Sequence, residues 1–307
     1  MRVREFAEGS DVSQALLVRE VERHTDHLKL VLGDRSGSVP AVVGHAAGEL
    51  CRRGEIVFVV GRFTGAQLAI DSLRQAHDGE YAREDLRDGP AHDLDQMERD
   101  LRELLATIQN PHLRQLLGGV FADSWAGYRD APAGKRYHHA YRHGLLEHSL
   151  TVAQSVSAIS AMFGGIDRDV AVAGALLHDI GKLDAYELEA GAISMSDQGR
   201  LHGEIPLGYY RVRRAIERVD GFPPDLAQAL LHIILSHHGS LEHGSPVVPC
   251  TREATLVHMI DNLGGRLGSF DRLERQLRAG EQWSAWDKAL GGGAYFAPRA
   301  DTEREAA

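Results

Sequence analysis

The sequence predicts two domains, a small all-β barrel followed by an all-α body, and three observations carry that division. Short β-like segments fill residues 1–76, a polar acidic stretch follows, and after residue 93 the apolar period becomes helical. A chain of 307 residues is long enough for two such bodies.

The β part reads in order as follows. Ser13 to Val21 mixes polar and apolar positions, and His27 to Leu32 alternates, with Leu28, Leu30 and Leu32 on one face. Gly33-Asp34-Arg35-Ser36-Gly37-Ser38 is turn chemistry, with glycines available for positive φ. Val39 to Val43 resumes a strand, a helical insertion is expected near His45 to Cys51, and Glu55 to Phe63 is strongly β. Gln67 to Ile70 follows a further glycine turn. Four or five strands with one insertion suit an OB-fold or a generic small barrel, and the pattern alone does not choose between them.

Residues 77–92, acidic and broken by Gly89-Pro90, are expected to be a linker. From Asp93 onward Leu94, Met97, Leu101, Leu104, Leu105 and Ile108 fall at helical spacing, and Leu145, Ser149, Val152, Val156, Ile159 and Phe163 repeat it. Further helices are expected over about 168–178, 205–218, 224–236 and 251–264, with Pro206 and Pro223-Pro224 as first-turn prolines. The all-α body thus covers residues 93–290, and the glycine-rich, charged tail 291–307 is expected to fray.

Composition narrows the function classes. A net charge of −10 argues mildly against a protein that coats nucleic acid, although much of the excess is local, between Asp78 and Glu103. No run of about 18 apolar residues exists, so no membrane span is expected. The N-terminus carries charges and lacks a long apolar stretch, so a secretory signal is not expected. The two cysteines, Cys51 and Cys250, lie in different halves; a disulfide framework is not expected, and a reducing cytoplasm is.

The chemistry lies in an ordered series: His148, His178-Asp179, His237-His238 and Asp261. Imidazole and carboxylate hold Mn, Fe, Ni or Zn, and a bridging carboxylate can bring two such ions together, which suits attack of water on a phosphate ester. His178-Asp179 ends an apolar helix, where Asp179 can bridge two cations and Gly181 is expected to let the backbone bend sharply. Lys182 follows, close enough to contact a scissile phosphate. Taken alone, the pair is as well read as an ion pair capping a helix, and His148 as a satisfied core histidine. Two adjacent imidazoles at a helix end, His237-His238, are costly to bury protonated, and a buried aspartate in the apolar run His258 to Asn262 needs a cation or several hydrogen bonds.

Together these residues resemble the HD-domain metal phosphohydrolase superfamily, and the extra histidine pair resembles its two-metal subset. Longer strings sharpen the resemblance: Tyr137-His138-His139-Ala140-Tyr141-Arg142-His143-Gly144-Leu145-Leu146-Glu147-His148, Leu177 to Lys182, Ile234 to Pro246, and His258 to Leu263 are similar to the YhaM-type 3′-5′ exoribonucleases. The stretch from His237-His238-Gly239 to Gly244-Ser245-Pro246 is the most diagnostic. That family pairs an N-terminal OB-fold with a C-terminal HD domain, so the resemblance implies an OB-fold nucleic-acid-binding domain and an HD phosphohydrolase domain here.

The resemblance further implies two divalent ions, Mn foremost with Fe, Co or Ni as others, bound by His148, His178, Asp179, Glu204, His237, His238 and Asp261. Asp179 and Lys182 would be the catalytic pair. His138, His139, Tyr141, Arg142 and Lys182 would lie on the substrate path, with His202, His232 and His258 supporting the ligands. One departure matters: where the family reads Gly-His, this chain reads Gly203-Glu204, with His202 two positions before Glu204, so Glu204 or His202 completes the second site, or that site is weak, and Glu204 is favoured. The barrel departs too, having only Phe6, Phe58 and Phe63 as aromatics for stacking.

The implied activity is 3′-5′ hydrolysis of single-stranded RNA, with single-stranded DNA as a second substrate, no membrane partner and a homo-oligomer left open. Two rivals stand beside it. One keeps the chemistry on a nucleotide or cyclic dinucleotide, and the other is a nucleic-acid-binding module with a degenerate HD site.

Overall fold

The computed structural model describes residues 1–44, 50–86, 89–90, 92–134, 139–189, 192–277 and 281–297. They form two compact units, Met1–Asp88 with Arg266–Ala307, and Gly89–Gly265.

In the first unit, β1 (Asp11–Arg23), β2 (His27–Asp34), β3 (Gly37–Gly44), β4 (Ile56–Phe63) and β5 (Leu68–Gln75) close a barrel in the order β1-β2-β3-β5-β4. Neighbours are antiparallel except β3 and β5, which run parallel. This is an OB-like barrel, which decides the choice the sequence pattern left open. Leu28, Leu30 and Leu32 all point inward as their alternation requires, and join Leu16, Val18, Val57, Val59 and Leu68 in a core sealed from solvent. Each such side chain contributes roughly 1.5–3 kcal/mol of burial.

The pairing of β4 with β5 requires a glycine. The β4–β5 register shifts at Val60/Gly61, and a Cβ on Gly61 would lie 2.1 Å from the Ala69 carbonyl oxygen. The turn between β2 and β3 is organised by the buried Asp34 carboxylate, which accepts from the amides of Val3, Ser36 and Gly37. The insertion expected near His45 to Cys51 lies mostly outside the described residues, and Cys51 is buried in the barrel core.

Part of the stretch expected as a linker is packed: the short helix α1 (Arg83–Leu86) buries Leu86 against Ala15 and Ile56, and Arg35 N donates to Asp85 O at 2.7 Å. Along the expected tail, the bridges Trp283↔Tyr295 and Asp287↔Gly292 tie residues 283–295 together, and Arg272 pairs with Asp287.

The second unit is helical: α2 (Leu94–Ala106), α3 (Pro111–Asp130), α4 (Gly144–Ser160), α5 (Arg168–Leu177), α6 (Lys182–Ala185), α7 (Asp197–His202), α8 (Glu204–Ile216), α9 (Pro224–Ser236) and the start of α10 (Arg252–Gln276). Helix α5 is central, with Val170 through Leu177 all buried. Gly174 lets it approach α9, since a Cβ there would lie 2.4 Å from Ile233 Cδ1. Asn110 caps α3 by accepting from His112 N and Leu113 N, with Pro111 in the first turn, and Asp167 caps α5 by accepting from Val170 N.

Helices α3, α6 and α7, and a hairpin of β6 (Tyr186–Glu189) and β7 (Ala192–Met195), had no counterpart in the sequence expectations. Helix α10 also runs twelve residues beyond its expected end at residue 264, through Gly264-Gly265 to Gln276. Among the described residues no helix is long and apolar enough to cross a membrane.

Candidate metal centre

Three helix ends and two helix bodies of the second unit converge on one spot. His178-Asp179 follow the last residue of α5, His237-His238 follow α9, and Glu204 opens α8, while His148 and Asp261 project from within α4 and α10. The C-terminal ends of α5 and α9 present carbonyl dipoles whose partial negative charge favours a cation.

Asp179 is the hub. Its Oδ2 lies 3.2 Å from His148 Nε2 and 3.4 Å from His178 Nε2, while its Oδ1 lies 3.5 Å from His237 Nε2. The two oxygens of one carboxylate thus face two sets of imidazoles. Asp261 Oδ1 stands 3.2 Å from His148 Nε2, and Glu204 Oε1 stands 3.3 Å from His238 Nε2. Among the described residues three overlapping groups could each hold an ion: His148, His178 and Asp179; His178, His237 and Asp261; Glu204, His237 and His238.

Backbone carbonyls set the tautomers. Nδ1 of His178 donates to Ala175 O at 2.7 Å, that of His237 to Ile234 O at 2.8 Å, and that of His238 to His243 O at 2.9 Å. A carbonyl only accepts, so each Nδ1 carries a proton and each Nε2 is the atom turned toward the centre. Asp179 Oδ1, Glu204 Oε2 and His237 Nε2 are buried with no hydrogen-bond partner among the described residues. Leaving such groups unsatisfied costs about 1–3 kcal/mol each, more for charged ones. A set of imidazoles and carboxylates with orphaned buried acceptors fits divalent ions of the Mn, Fe or Zn type.

The electrostatics agree. Burial alone would raise the Asp179 pKa, but Lys182 and His178 outweigh it and hold the carboxyl well below the usual range. Glu204 is likewise held down against burial by Lys182 and His238, and Asp261 by His148. Burial lowers the His237 pKa and keeps that ring neutral. Two rings go the other way: burial pulls His148 and His238 down, yet Asp179 and Asp261 lift His148 to about 9 and Glu204 lifts His238, so an arriving cation must displace the His148 proton.

The other expected residues fall in different places. Lys182 Nζ donates to Asp179 Oδ2 at 2.6 Å. His139 brings its ring centroid to 5.6 Å from that of His148, and the Tyr141 hydroxyl donates to Glu147. Arg142 is exposed and paired with Asp130 at 2.6 Å, and His138 lies outside the described residues. His202 is exposed at the end of α7 and belongs to none of the three groups, whereas Glu204 does. His258 Nδ1 donates to His237 O at 2.8 Å and so steadies a ligand's backbone. His232 Nε2 instead accepts from Cys250 N, away from that role.

Gly181 has another purpose than a sharp bend. Its φ of −66° is ordinary helical backbone, but a Cβ there would lie 2.0 Å from the Glu204 carbonyl oxygen and 2.5 Å from Gly208 N. The glycine lets the His-Asp turn touch the helix that carries Glu204. One further residue escaped the sequence reading: Glu147, a carboxylate 4% exposed inside Leu145-Leu146-Glu147-His148. The signal was its charge within an apolar first turn.

Residues 145–265 match the HD domain family model. Over 289 residues the chain is 31% identical to the 3′-5′ exoribonuclease YhaM of Geobacillus sp. (strain WCH70), covering 89% of this chain and 88% of that protein. It is 30% identical to the protein of the same name from Bacillus subtilis (strain 168), covering 89% and 90%, and 27% identical to that of Shouchella clausii (strain KSM-K16), covering 96% of each.

Proposed function

Since this chain belongs to the YhaM family of 3′-5′ exoribonucleases, we propose that its histidine-carboxylate centre holds two divalent ions. The protein is a metal-dependent exoribonuclease, acting on RNA through its HD domain. His148, His178 and Asp261 would hold one ion, and Glu204, His237 and His238 the other, with Asp179 shared. Manganese is the favoured metal, because Glu204 adds an oxygen donor where an imidazole would suit a softer ion. When bound, such ions supply Lewis acidity, activating a water and offsetting charge on the phosphate.

The chain's own residues do the rest. Asp179 faces both histidine sets and keeps them in register. Carbonyl contacts from Ala175, Ile234 and His243 fix the ring orientations before any ion arrives. Lys182 places a positive charge beside Asp179, where it can stabilise a developing phosphate charge. His139 borders His148 and meets Tyr141 edge to face, and both would meet the substrate end; His138 and Arg142 are proposed for the same path. We extend the reading to single-stranded DNA, because attack of water at phosphorus needs no 2′-hydroxyl. Both cysteines are free, in keeping with a cytoplasmic setting.

The observation that carries this reading is the Asp179 carboxylate with its two oxygens turned to different histidines. It is tested with a 5′-labelled single-stranded RNA and Mn²⁺, wild type beside Asp179→Ala. A ladder shortening from the 3′ end and lost in the variant is expected. Intact RNA with a hydrolysed cyclic dinucleotide would move the activity to small phosphodiesters.

A further inference from the structure

Glu147 is a buried acid that the metal centre does not use. It is 4% exposed in the first turn of α4, one residue before the ligand His148. Its carboxylate accepts from the Tyr141 hydroxyl and stands 3.7 Å from His139 Nε2. The His139 and Tyr141 rings meet edge to face, with centroids 5.9 Å apart. Burying a carboxylate is costly unless it is paired, so this group is retained against its solvation.

The turn it holds is unusually constrained. His139 and His143 both take left-handed backbone, with φ of 55° and 72°, a conformation that costs a non-glycine residue about 1–3 kcal/mol where it is strained. Several contacts enforce it: Ala133 N donates to His139 O, His143 Nδ1 donates to Arg129 O at 2.8 Å, and a Cβ on Gly144 would lie 2.0 Å from His139 O. The outcome is that the His139 ring stands beside the His148 ring, at the border of the centre.

We propose that Glu147 is a positioning residue for the reaction: by holding Tyr141 and facing His139 it fixes the 139–143 turn where those two side chains receive the phosphodiester. This rests on the reading of the centre as one that hydrolyses RNA. The Glu147 carboxylate contacts described above are to Tyr141 and His139, so its loss should act on substrate capture rather than on metal loading.

The test uses the full chain loaded with Mn²⁺ and carrying Glu147→Gln, Tyr141→Phe, or both. Each single change is expected to raise the KM for a short RNA about tenfold, as loss of one charge-assisted hydrogen bond would. The kcat should stay within about threefold and the Mn²⁺ content unchanged. Binding of a fluorescein-labelled phosphorothioate RNA, read by anisotropy, should weaken by the same factor. The double variant should be no worse than the poorer single one, because both changes break one network. Wild-type KM and affinity in the variants, or loss of bound Mn²⁺, would overturn the inference. Failure of the wild type to cut RNA would instead defeat the functional reading, and anisotropy would still judge Glu147.

Discussion

Lys182 Nζ stands 2.6 Å from Asp179 Oδ2, and both side chains are nearly sealed from solvent, at 12% and 2% exposure. The carboxylate that links the two histidine sets is therefore also the counter-ion of a buried ammonium. Burial would depress the lysine, yet Asp179 and Glu204 hold its pKa above the ordinary value, so it stays charged. Removing the aspartate then does two separable things.

Asp179→Ala should destabilise the helical unit in EDTA by about 3 kcal/mol, the low end for breaking a buried pair, because Glu204 still attracts Lys182. Adding Lys182→Met should recover most of that loss without restoring activity. Urea unfolding of the two variants provides the check; equal stabilities would show that the ammonium is not what suffers.

With two ions held as proposed, Glu204→Ala should lower the bound metal to one and cut activity more than the roughly 10–100-fold typical of an outer partner. His202→Ala should bind as wild type does, since His202 is exposed and apart from the ligand groups. Metal analysis of the dialysed proteins distinguishes them, and the reverse pattern would reassign the second site to His202.

Gly181→Ala should cost about 1–3 kcal/mol by overpacking against backbone. The clash falls on Glu204 O and Gly208 N, so the ion beside Glu204 should weaken more than the one beside His148. Mn²⁺ titration followed calorimetrically would reveal this as one weakened class of site, and two unchanged classes would refute it.

In the barrel unit, hydrogen bonds from Arg74 and from His77 N hold the Glu80 carboxyl at about 2, below its ordinary 4.5. Because the folded value is the lower one, the pair's contribution is present above about pH 4.5 and is lost as pH falls toward 2. An NMR titration should place Glu80 near the lower value in the wild type and return it toward 4.5 in Arg74→Gln.

The barrel was legible because Leu28, Leu30 and Leu32 alternate and turn glycines punctuate the strands. The candidate centre was legible because an ordered series of histidines and aspartates falls in apolar helical segments, although no single pair pointed to it alone. Helix α3 was missed although Leu113, Leu116, Leu117, Val120 and Phe121 are buried along it, since Pro111 and Gly118-Gly119 read locally as breakers. The hairpin β6–β7 offers four residues per strand, too few for alternation to register. Gly181 was noticed for the wrong reason: sequence shows a flexible residue, while the need for it comes from a helix more than twenty positions away. Phe6 and Phe63 pack on each other and Arg74 covers Phe58, which no local pattern could foretell.

Gly181 and Gly208 meet with no side chain between them: a Cβ on either would press on the other's amide nitrogen. No side-chain torsion therefore lies between the His-Asp turn and the helix that begins at Glu204. The spacing of the two halves of the centre is set by direct backbone-to-backbone packing, which side-chain hopping cannot blur. Heat should accordingly dismantle both halves in one step, as it would a single casting, rather than loosen one while the other still works.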